Sequence, residues 1–202
     1  MEIYLTRHGQ TELNKRRIIQ GSGVDEPLNQ EGHRQAELFW QKYNTINFDA
    51  VYCSQLKRTQ QTLLKWETAG YVLNKNAAWN EMGWGEMEGQ ESTAETQKIF
   101  TEITHKWRQG KLDEAIAGGE TPMQMQERQW LAIQQLEQNH AKQRILLCSH
   151  GRAMRGLLCL LTGQNYSRMD EWEHSNTCLY VLRKEKGPNF EVILKNDTSH
   201  LI

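Results

Sequence analysis

The fold is decided by the first residues of the chain, EIYLTRHG at positions 2–9. Residues 2–6 predict a strand, which ends at Arg7 and His8. A cation beside an imidazole raises the cost of charging both groups, unless an anion such as phosphate lies between them. Gly9 lets the backbone and a ligand approach closely. The stretch therefore predicts a strand whose carboxyl end binds phosphate.

Apolar runs alternate with helical periodicities along the rest of the chain, which predicts an α/β fold. Further strands are predicted at 48–53, near 71–74, and at 144–149, 177–183 and 190–195. Helices are predicted at about 30–43, 56–66, 92–108, 122–140 and 152–162. The last two strands are joined by a turn at 186–188 and predict a hairpin at the sheet edge.

The composition narrows the class of protein. The 202 residues carry 24 Lys and Arg against 25 Asp and Glu, a net charge of -1, which gives no reason to expect nucleic acid or an anionic membrane as the main partner. No apolar run approaches the roughly 20 residues of a membrane span. We expect a single domain over 1–202.

The cysteines and histidines show no metal-ligand spacing, so no metal and no cofactor are expected. The cysteines are scattered without a CxxC pair, which suggests free thiols in a reducing compartment. The N-terminal apolar stretch is too short for a signal peptide. We therefore expect a cytoplasmic protein.

Three predicted strands bring charged groups to one edge of the sheet. Arg7 and His8 end the first strand, Arg58 lies in the first helical turn after the second, and His150-Gly151 ends a later one. Ligands of open parallel sheets bind outside the carboxyl ends of the strands. Arginine binds phosphate through a planar fork, and a helix N-terminus adds a favourable dipole.

A lone carboxyl, Glu81, lies among aromatic residues in a loop at 75–91 and is a candidate general acid. Each of these residues taken alone has an ordinary explanation. A histidine is usually structural, an arginine usually forms a surface ion pair, and a loop glutamate is usually solvated. Their combination at strand ends and adjoining loops is what indicates a phosphoryl-transfer site.

In chain order, these pieces resemble the histidine phosphatase superfamily, specifically its cofactor-dependent phosphoglycerate mutase-like branch. The opening signature is RHGxTxxN at 7–14, and further matching stretches run through nearly the whole chain. They are QG at 20–21, LNxxGxxQA at 28–36, SxLxRTxQT at 54–62, ExxxGxxEG at 81–89, GGET at 118–121 and SHG at 149–151. The resemblance implies a three-layer α/β sandwich with a mostly parallel six-stranded sheet flanked by helices.

The resemblance also implies a role for each matching residue. His8 would be the nucleophile that carries the phosphoryl group, and Glu81 would protonate the leaving oxygen and then activate the next nucleophile. The groups expected to stabilise the transferring oxygens are Arg7, Arg58 and His150. The positions expected to bind substrate are Asn14, Gln20, Gly21 and Gly151. His8 must be neutral, and we expect a backbone carbonyl to fix its tautomer.

Three functions share this pocket: a phosphatase for a small phosphomonoester, a phosphoglycerate mutase, and a phospho-ligand sensor without turnover. A mutase needs cations for the substrate carboxylate. At the expected lysine the chain reads EST at 91–93, and farther on it offers only KWR at 106–108. The chain is also short for the mutases' insertion and closing tail. We expect hydrolysis, and the presence of His8 and Glu81 disfavours the sensor.

The segment 83–125 is expected to cover the pocket and set specificity. Trp84, Met87 and Met123 are its candidate lining residues, although core packing would account for them equally well.

Overall fold

Six strands form one central sheet in a computed structural model, which describes residues 1–202. The strands are β1 (Glu2–Arg7), β2 (Ala50–Cys53), β3 (Leu73–Lys75), β4 (Arg144–Ser149), β5 (Leu179–Arg183) and β6 (Glu191–Asp197), in the spatial order β3-β2-β4-β1-β5-β6. β1, β2, β3 and β4 run parallel, whereas β5 is antiparallel to both β1 and β6. The predicted mostly parallel six-stranded sheet and its edge hairpin are confirmed.

The register brings the carboxyl ends of the parallel strands together. Arg7 of β1 lies opposite Ser149 of β4, and Cys53 of β2 lies opposite Cys148 of β4. The residues that follow β1, β2 and β4 therefore all begin at the same edge of the sheet. This alignment builds the site, because each of the three strands is followed directly by a polar segment.

Seven α-helices accompany the sheet: α1 (Glu12–Lys15), α2 (Gln30–Tyr43), α3 (Lys57–Thr62), α4 (Leu64–Thr68), α5 (Ala94–Arg108), α6 (Pro122–Asn139) and α7 (Gly151–Thr162). Their ends carry the caps that the sequence suggests. Asn29 accepts a hydrogen bond from Gly32 at the start of α2, and Thr121 forms a capping box with Gln124 before Pro122. α7 ends at Gly163, whose φ of 71° is left-handed.

The helices cover both faces of the sheet, giving three layers. On one face, Leu147 of β4 packs with Leu136 of α6 and Leu157 of α7. On the other face, its neighbours Leu146 and Cys148 pack with aromatic residues of α2 and α4. This alternation is the period of a strand buried on both sides. The predicted sandwich is confirmed.

One predicted helix is divided. The stretch expected to form a single helix at 56–66 is two short helices, α3 and α4, which meet at Leu63. Leu63 has φ -99° and ψ 7°, outside helical geometry, while its side chain is fully buried in the core beside Trp66. The local turn therefore follows tertiary packing more than the helical pattern of the sequence.

The segment 83–125 folds back on itself around α5. Gly85 has a φ of 53°, and a Cβ atom there would lie 2.1 Å from the Ala117 carbonyl oxygen, so only glycine allows this contact. The segment packs on α7 through a third apolar cluster that includes Trp84, Trp107 and Ala153. None of the helices has the length and apolar character that a membrane crossing requires.

Candidate active site

A cavity of about 190 Å³ opens at the carboxyl ends of β1 and β4. The residues predicted from the sequence that line it are Arg7, His8, Asn14, Gln20, Glu81 and Gly151. Arg58, His150 and Gly21 lie behind this wall and do not line the cavity. The predicted residues are therefore brought to one place, in two layers.

His8 is a buried imidazole with a fixed tautomer. Its main-chain N–H continues the ladder from β1 to Ser149 of β4, which sets the position of the residue. Nδ1 lies 2.7 Å from the carbonyl oxygen of Gly9 and so carries the proton, which leaves the Nε2 lone pair free. Burial, together with the charges of Arg58 and Arg7, holds the pKa of His8 well below its usual value. The ring is therefore neutral, and its Nδ1 has the backbone carbonyl partner expected from the sequence.

Gly9 supports this geometry from behind. Its N–H donates to the Thr62 hydroxyl at 3.0 Å, and a Cβ atom at Gly9 would lie 2.6 Å from the carbonyl oxygen of Gly32. Thr62 in turn donates to the Arg58 carbonyl oxygen at 2.7 Å. The turn after β1 is therefore locked to α2 and α3 at a distance that only glycine permits.

Arg58 and His150 form a buried pair beside His8. Arg58 Nε donates to His150 Nδ1 at 3.1 Å, so His150 Nε2 carries the proton and donates to the Ser54 hydroxyl at 2.8 Å. The centroids of the His8 and His150 rings are 5.1 Å apart. Burial and the charge of Arg58 hold the pKa of His150 well below its usual value, and burial lowers the pKa of Arg58 to about 10.

The other donors of Arg58 hold the loop after α1. Nη1 donates to the Val24 carbonyl oxygen at 2.7 Å, and Nη2 donates to that of Gly21 at 3.2 Å. Gly21 therefore takes part through Arg58 rather than by lining the cavity. Because main-chain oxygens and a neutral imidazole accept these bonds, no carboxylate hydrogen bond neutralises Arg58.

Arg7 lines the cavity at the end of β1. Its Nη1 lies 3.1 Å from His174 Nδ1, and its Nε is buried without a hydrogen-bond partner in the protein. Burial lowers the pKa of Arg7. Burial and the neighbouring Arg7 lower the pKa of His174 to about 2, so this second lining histidine is also neutral.

Asn14 and Gln20 place amide groups at the cavity. Asn14 Oδ1 accepts from the Thr11 N–H at 3.2 Å, which leaves the amide NH2 of Asn14 available as a donor. Gln20 Nε2 donates to the Thr11 hydroxyl at 2.5 Å, and Gln20 Oε1 is buried without a partner. Both amides are thus oriented from the same capping residue of α1.

Glu81 is held by main-chain N–H groups. Oε1 accepts from Met82 at 2.9 Å and from Ala153 at 2.8 Å, and Oε2 accepts from Arg152 at 3.0 Å. Two of these donors belong to the first turn of α7, where the helix dipole favours a negative charge. The sequence suggested an aromatic setting for Glu81, whereas its direct contacts are polar.

Four residues of this region were not found by the sequence argument. Arg152, Arg155 and His174 line the cavity, and Asp170 pairs with both arginines. A signal for two of them is present in the sequence, because Arg152 and Arg155 interrupt an otherwise apolar helix at a spacing of three residues. His174 and Asp170 come from an irregular segment and carry no such signal.

The segment 83–125 supplies two aromatic residues to the cavity wall, Trp84 and Phe100. Of the three candidates named from the sequence, Trp84 lines the cavity, Met87 is buried in the cluster around α5, and Met123 is 54% exposed. Ile18 and Ile19 complete the apolar part of the wall.

Comparison with known proteins identifies the family. Residues 3–198 match the histidine phosphatase superfamily (branch 1), and the chain belongs to this superfamily. The family predicted from the motifs, and with it the class of histidine phosphatases, is therefore confirmed.

Named relatives fall on both sides of the division between phosphatase and mutase. The chain is 28% identical over 203 residues to Phosphoserine phosphatase 1 of Hydrogenobacter thermophilus, covering 100% of this chain and 94% of the relative. It is 30% identical over 168 residues to a protein of Klebsiella pneumoniae named Probable phosphoglycerate mutase GpmB, covering 81% of this chain and 75% of the relative.

Solved structures share the fold at lower identity. The α-ribazole phosphatase of Shigella flexneri superposes with a TM-score of 0.83 at 23% identity, over 98% of this chain and 96% of the other. A mycobacterial glucosyl-3-phosphoglycerate phosphatase gives a TM-score of 0.85 at 20% identity, over 98% and 99% of the two chains. These matches confirm the three-layer architecture.

Proposed function

We propose that this protein hydrolyses small phosphomonoesters through a phosphohistidine formed on His8. The observation that carries the proposal is the buried, neutral His8, whose Nδ1 is bound to a carbonyl oxygen and whose ring lines the same cavity as Arg7 and Glu81. The family, and relatives named as phosphatases of small phosphorylated metabolites, support it.

In the first step, His8 Nε2 attacks phosphorus and the bond from phosphorus to the leaving oxygen breaks. Glu81 gives a proton to that oxygen, so the leaving group departs as an alcohol and the three main-chain N–H groups stabilise the carboxylate that is left. Arg7 and the Asn14 amide stabilise the charge on the transferring oxygens, and Arg58 with His150 supports His8 from behind. In the second step, Glu81 accepts a proton from water, which attacks phosphorus and releases phosphate and free His8.

Gln20 and Gly151 line the cavity in the proposed substrate-binding set, and Gly21 orients Arg58. Within a single domain over 1–202, we assign specificity to the segment 83–125, supported by the two aromatic side chains that it places in the cavity wall. A reducing, cytoplasmic location is supported by four cysteines that are all buried and free.

The proposal is tested by measuring phosphate release from a panel of phosphomonoesters with the wild type and with His8→Ala. The matched control is His33→Ala, because His33 is an exposed histidine of α2. We expect release to vanish in His8→Ala and to persist in the control, and we expect an acid-labile phosphoprotein to be trapped only when His8 is present.

The relatives named as mutases make isomerisation the specific alternative. Conversion of 3-phosphoglycerate to 2-phosphoglycerate is therefore followed in the same samples. Isomerisation faster than release would overturn hydrolysis in favour of a mutase. Tight phosphomonoester binding with neither reaction would establish a phospho-ligand sensor.

A further inference from the structure

Three arginines converge on one carboxylate beside the cavity. Arg152 Nη1 bonds Asp170 Oδ1 at 2.5 Å, Arg155 Nη1 bonds the same oxygen at 2.9 Å, and Arg108 Nε bonds Asp170 Oδ2 at 3.0 Å. A single carboxylate neutralises one of these three charges. The cluster therefore keeps two positive charges in excess, and Arg152 and Arg155 both line the cavity.

Arg152 is fixed in an aromatic enclosure. Its guanidinium carbon lies 5.6 Å from the Trp84 ring, 6.0 Å from the Phe100 ring and 5.5 Å from the Trp107 ring, and the residue is 6% exposed. Such contacts stabilise a cation and hold its plane. Burying a guanidinium is costly unless its charge is matched, and the Asp170 bond uses only one of its N–H donors.

Arg155 also has a hydrogen-bond donor that no group of the protein accepts from. Its Nε is buried and has no hydrogen-bond partner in the protein, and burial lowers its pKa. A buried donor without a partner costs free energy in the folded protein, which an anion in the cavity would recover. Two side chains of α7 thus carry donors and charge that the fold itself does not use.

The position of these arginines relates them to the leaving group. The main-chain N–H of Arg152 donates to Glu81 Oε2. Glu81 is the residue that we propose protonates the leaving oxygen. The wall that carries Glu81, Arg152 and Arg155, here termed the leaving-group side, therefore faces the alcohol portion of a bound phosphomonoester. His8 with Arg7 faces its phosphorus.

We propose that Arg152 and Arg155 form a second anion subsite that binds a carboxylate of the leaving group, so that the preferred substrates are small phosphorylated carboxylic acids. The inference rests on the proposed function. The planar fork of arginine matches a carboxylate, and the cavity of about 190 Å³ is well below the usual size of drug-sized ligand pockets, which favours a leaving group of a few carbons.

The cations of this subsite lie at other positions than those expected from the sequence for binding a substrate carboxylate. From the sequence, the cations for such a carboxylate were expected at 91–93 and 106–108. The structure supplies them instead from the first two turns of α7, where Arg152 directly follows Gly151 and Arg155 lies three residues farther on. A carboxylate site is thus compatible with a cavity that lacks the mutase lysine.

The test compares substrates that differ only at the carboxylate. 3-Phosphoglycerate is paired with glycerol 3-phosphate, and phosphoserine with phosphoethanolamine. For the wild type we expect kcat/KM to be about 10- to 100-fold higher for the acid of each pair, the value of one charge-assisted contact. In Arg152→Gln we expect this ratio to fall to within about threefold, because the loss of kcat/KM is concentrated on the acidic substrates.

The matched control is Arg108→Gln, which removes another partner of Asp170 from a residue that does not line the cavity. The substrate ratio should keep its wild-type value there. Arg152→Gln leaves Asp170 paired with Arg155 and Arg108, and a melting curve of each variant confirms folding. Arg152→Lys, which keeps the charge but loses the fork, should recover part of the ratio.

Equal kcat/KM for both members of each pair in the wild type, or equal losses for both in Arg152→Gln, would overturn the subsite while His8-dependent hydrolysis stands. If no substrate is hydrolysed in a His8-dependent way, the proposed function fails. Calorimetric binding of 3-phosphoglycerate and glycerol 3-phosphate to His8→Ala then decides the subsite separately: selective binding of the acid supports it, and equal binding overturns it.

Discussion

The cations on the two sides of the cavity are held in different ways. On the reaction side, meaning His8 with Arg7, Arg58 and His150 around it, Arg58 donates to main-chain oxygens and to a neutral imidazole. On the leaving-group side, Arg152 and Arg155 share the carboxylate of Asp170. In the proposed reaction, Arg58 therefore acts from behind His8 with a charge that no hydrogen-bonded carboxylate offsets, whereas Arg152 and Arg155 share the negative charge of Asp170.

The largest expected effect concerns Glu81, the proposed general acid on the leaving-group side. We expect Glu81→Gln to lower kcat by about 10²- to 10⁴-fold on an alkyl phosphate, because the alkoxide leaving group needs a proton. The loss should be much smaller with p-nitrophenyl phosphate, whose leaving group departs without one. The exposed Glu86→Gln is the matched control, and equal losses on both substrates would remove the acid role from Glu81.

The next effect tests the reaction side alone. Arg58→Gln removes the donors that hold His150 and the loop at 21–24, so we expect kcat/KM to fall about 10²- to 10³-fold for acidic and non-acidic substrates alike. Unsatisfied buried partners should lower the free energy of unfolding by about 1–3 kcal/mol. Arg34→Gln, at an exposed ion pair, is the control for both measurements, and full activity in Arg58→Gln would give Arg58 a purely structural role.

A smaller effect concerns the pH dependence of stability that His8, on the reaction side, causes. The folded protein keeps His8 neutral below pH 6.5, where the unfolded chain binds a proton on it, so stability falls as the pH drops below that point. Removing His8 removes this difference. The free energy of unfolding of His8→Ala should therefore fall by about 1 kcal/mol less per pH unit than that of the wild type between pH 6.5 and 5. An unchanged slope would show that His8 is protonated when folded, and His33→Ala should keep the wild-type slope.

The smallest effect concerns the aromatic enclosure of Arg152. Phe100→Leu removes one ring from the guanidinium, and we expect kcat/KM for 3-phosphoglycerate to fall about two- to fivefold while that for glycerol 3-phosphate stays unchanged. Phe190→Leu, which does not line the cavity, is the control. A parallel loss on both substrates would mean that Phe100 shapes the cavity without orienting Arg152.

The reaction side of the cavity could largely be predicted from the sequence, whereas the leaving-group side could not. The strands, the order of the motifs and the meeting of the reaction-side residues at one edge of the sheet were predictable, because each residue follows a buried strand and the strand ends of a parallel sheet meet. The helix at 30–43 was predicted with the bounds observed, since Asn29 caps it through a local hydrogen bond. A helix cap of this kind can be predicted because it depends only on residues close together in the sequence.

The leaving-group side depends on contacts between distant segments. Asp170 meets Arg108 and Arg152 across 62 and 18 positions of the chain, and no periodicity predicts such a meeting. The contacts of Glu81 were missed for the same reason, because its partners are N–H groups of α7, 71 and 72 residues away. The break at Leu63 likewise follows packing in the core rather than local pattern.

The hydrogen bond from the Arg152 N–H to Glu81 has a consequence for how this family could diversify. Every amino acid except proline supplies that main-chain donor, so Glu81 keeps this hydrogen bond when the side chain at position 152 changes. In the proposed subsite, only the side chain at this position contacts the substrate. Position 152 is therefore a site where mutation can exchange one substrate for another without passing through an inactive ancestor, and it is the first position to randomise when a new phosphatase specificity is sought in the laboratory.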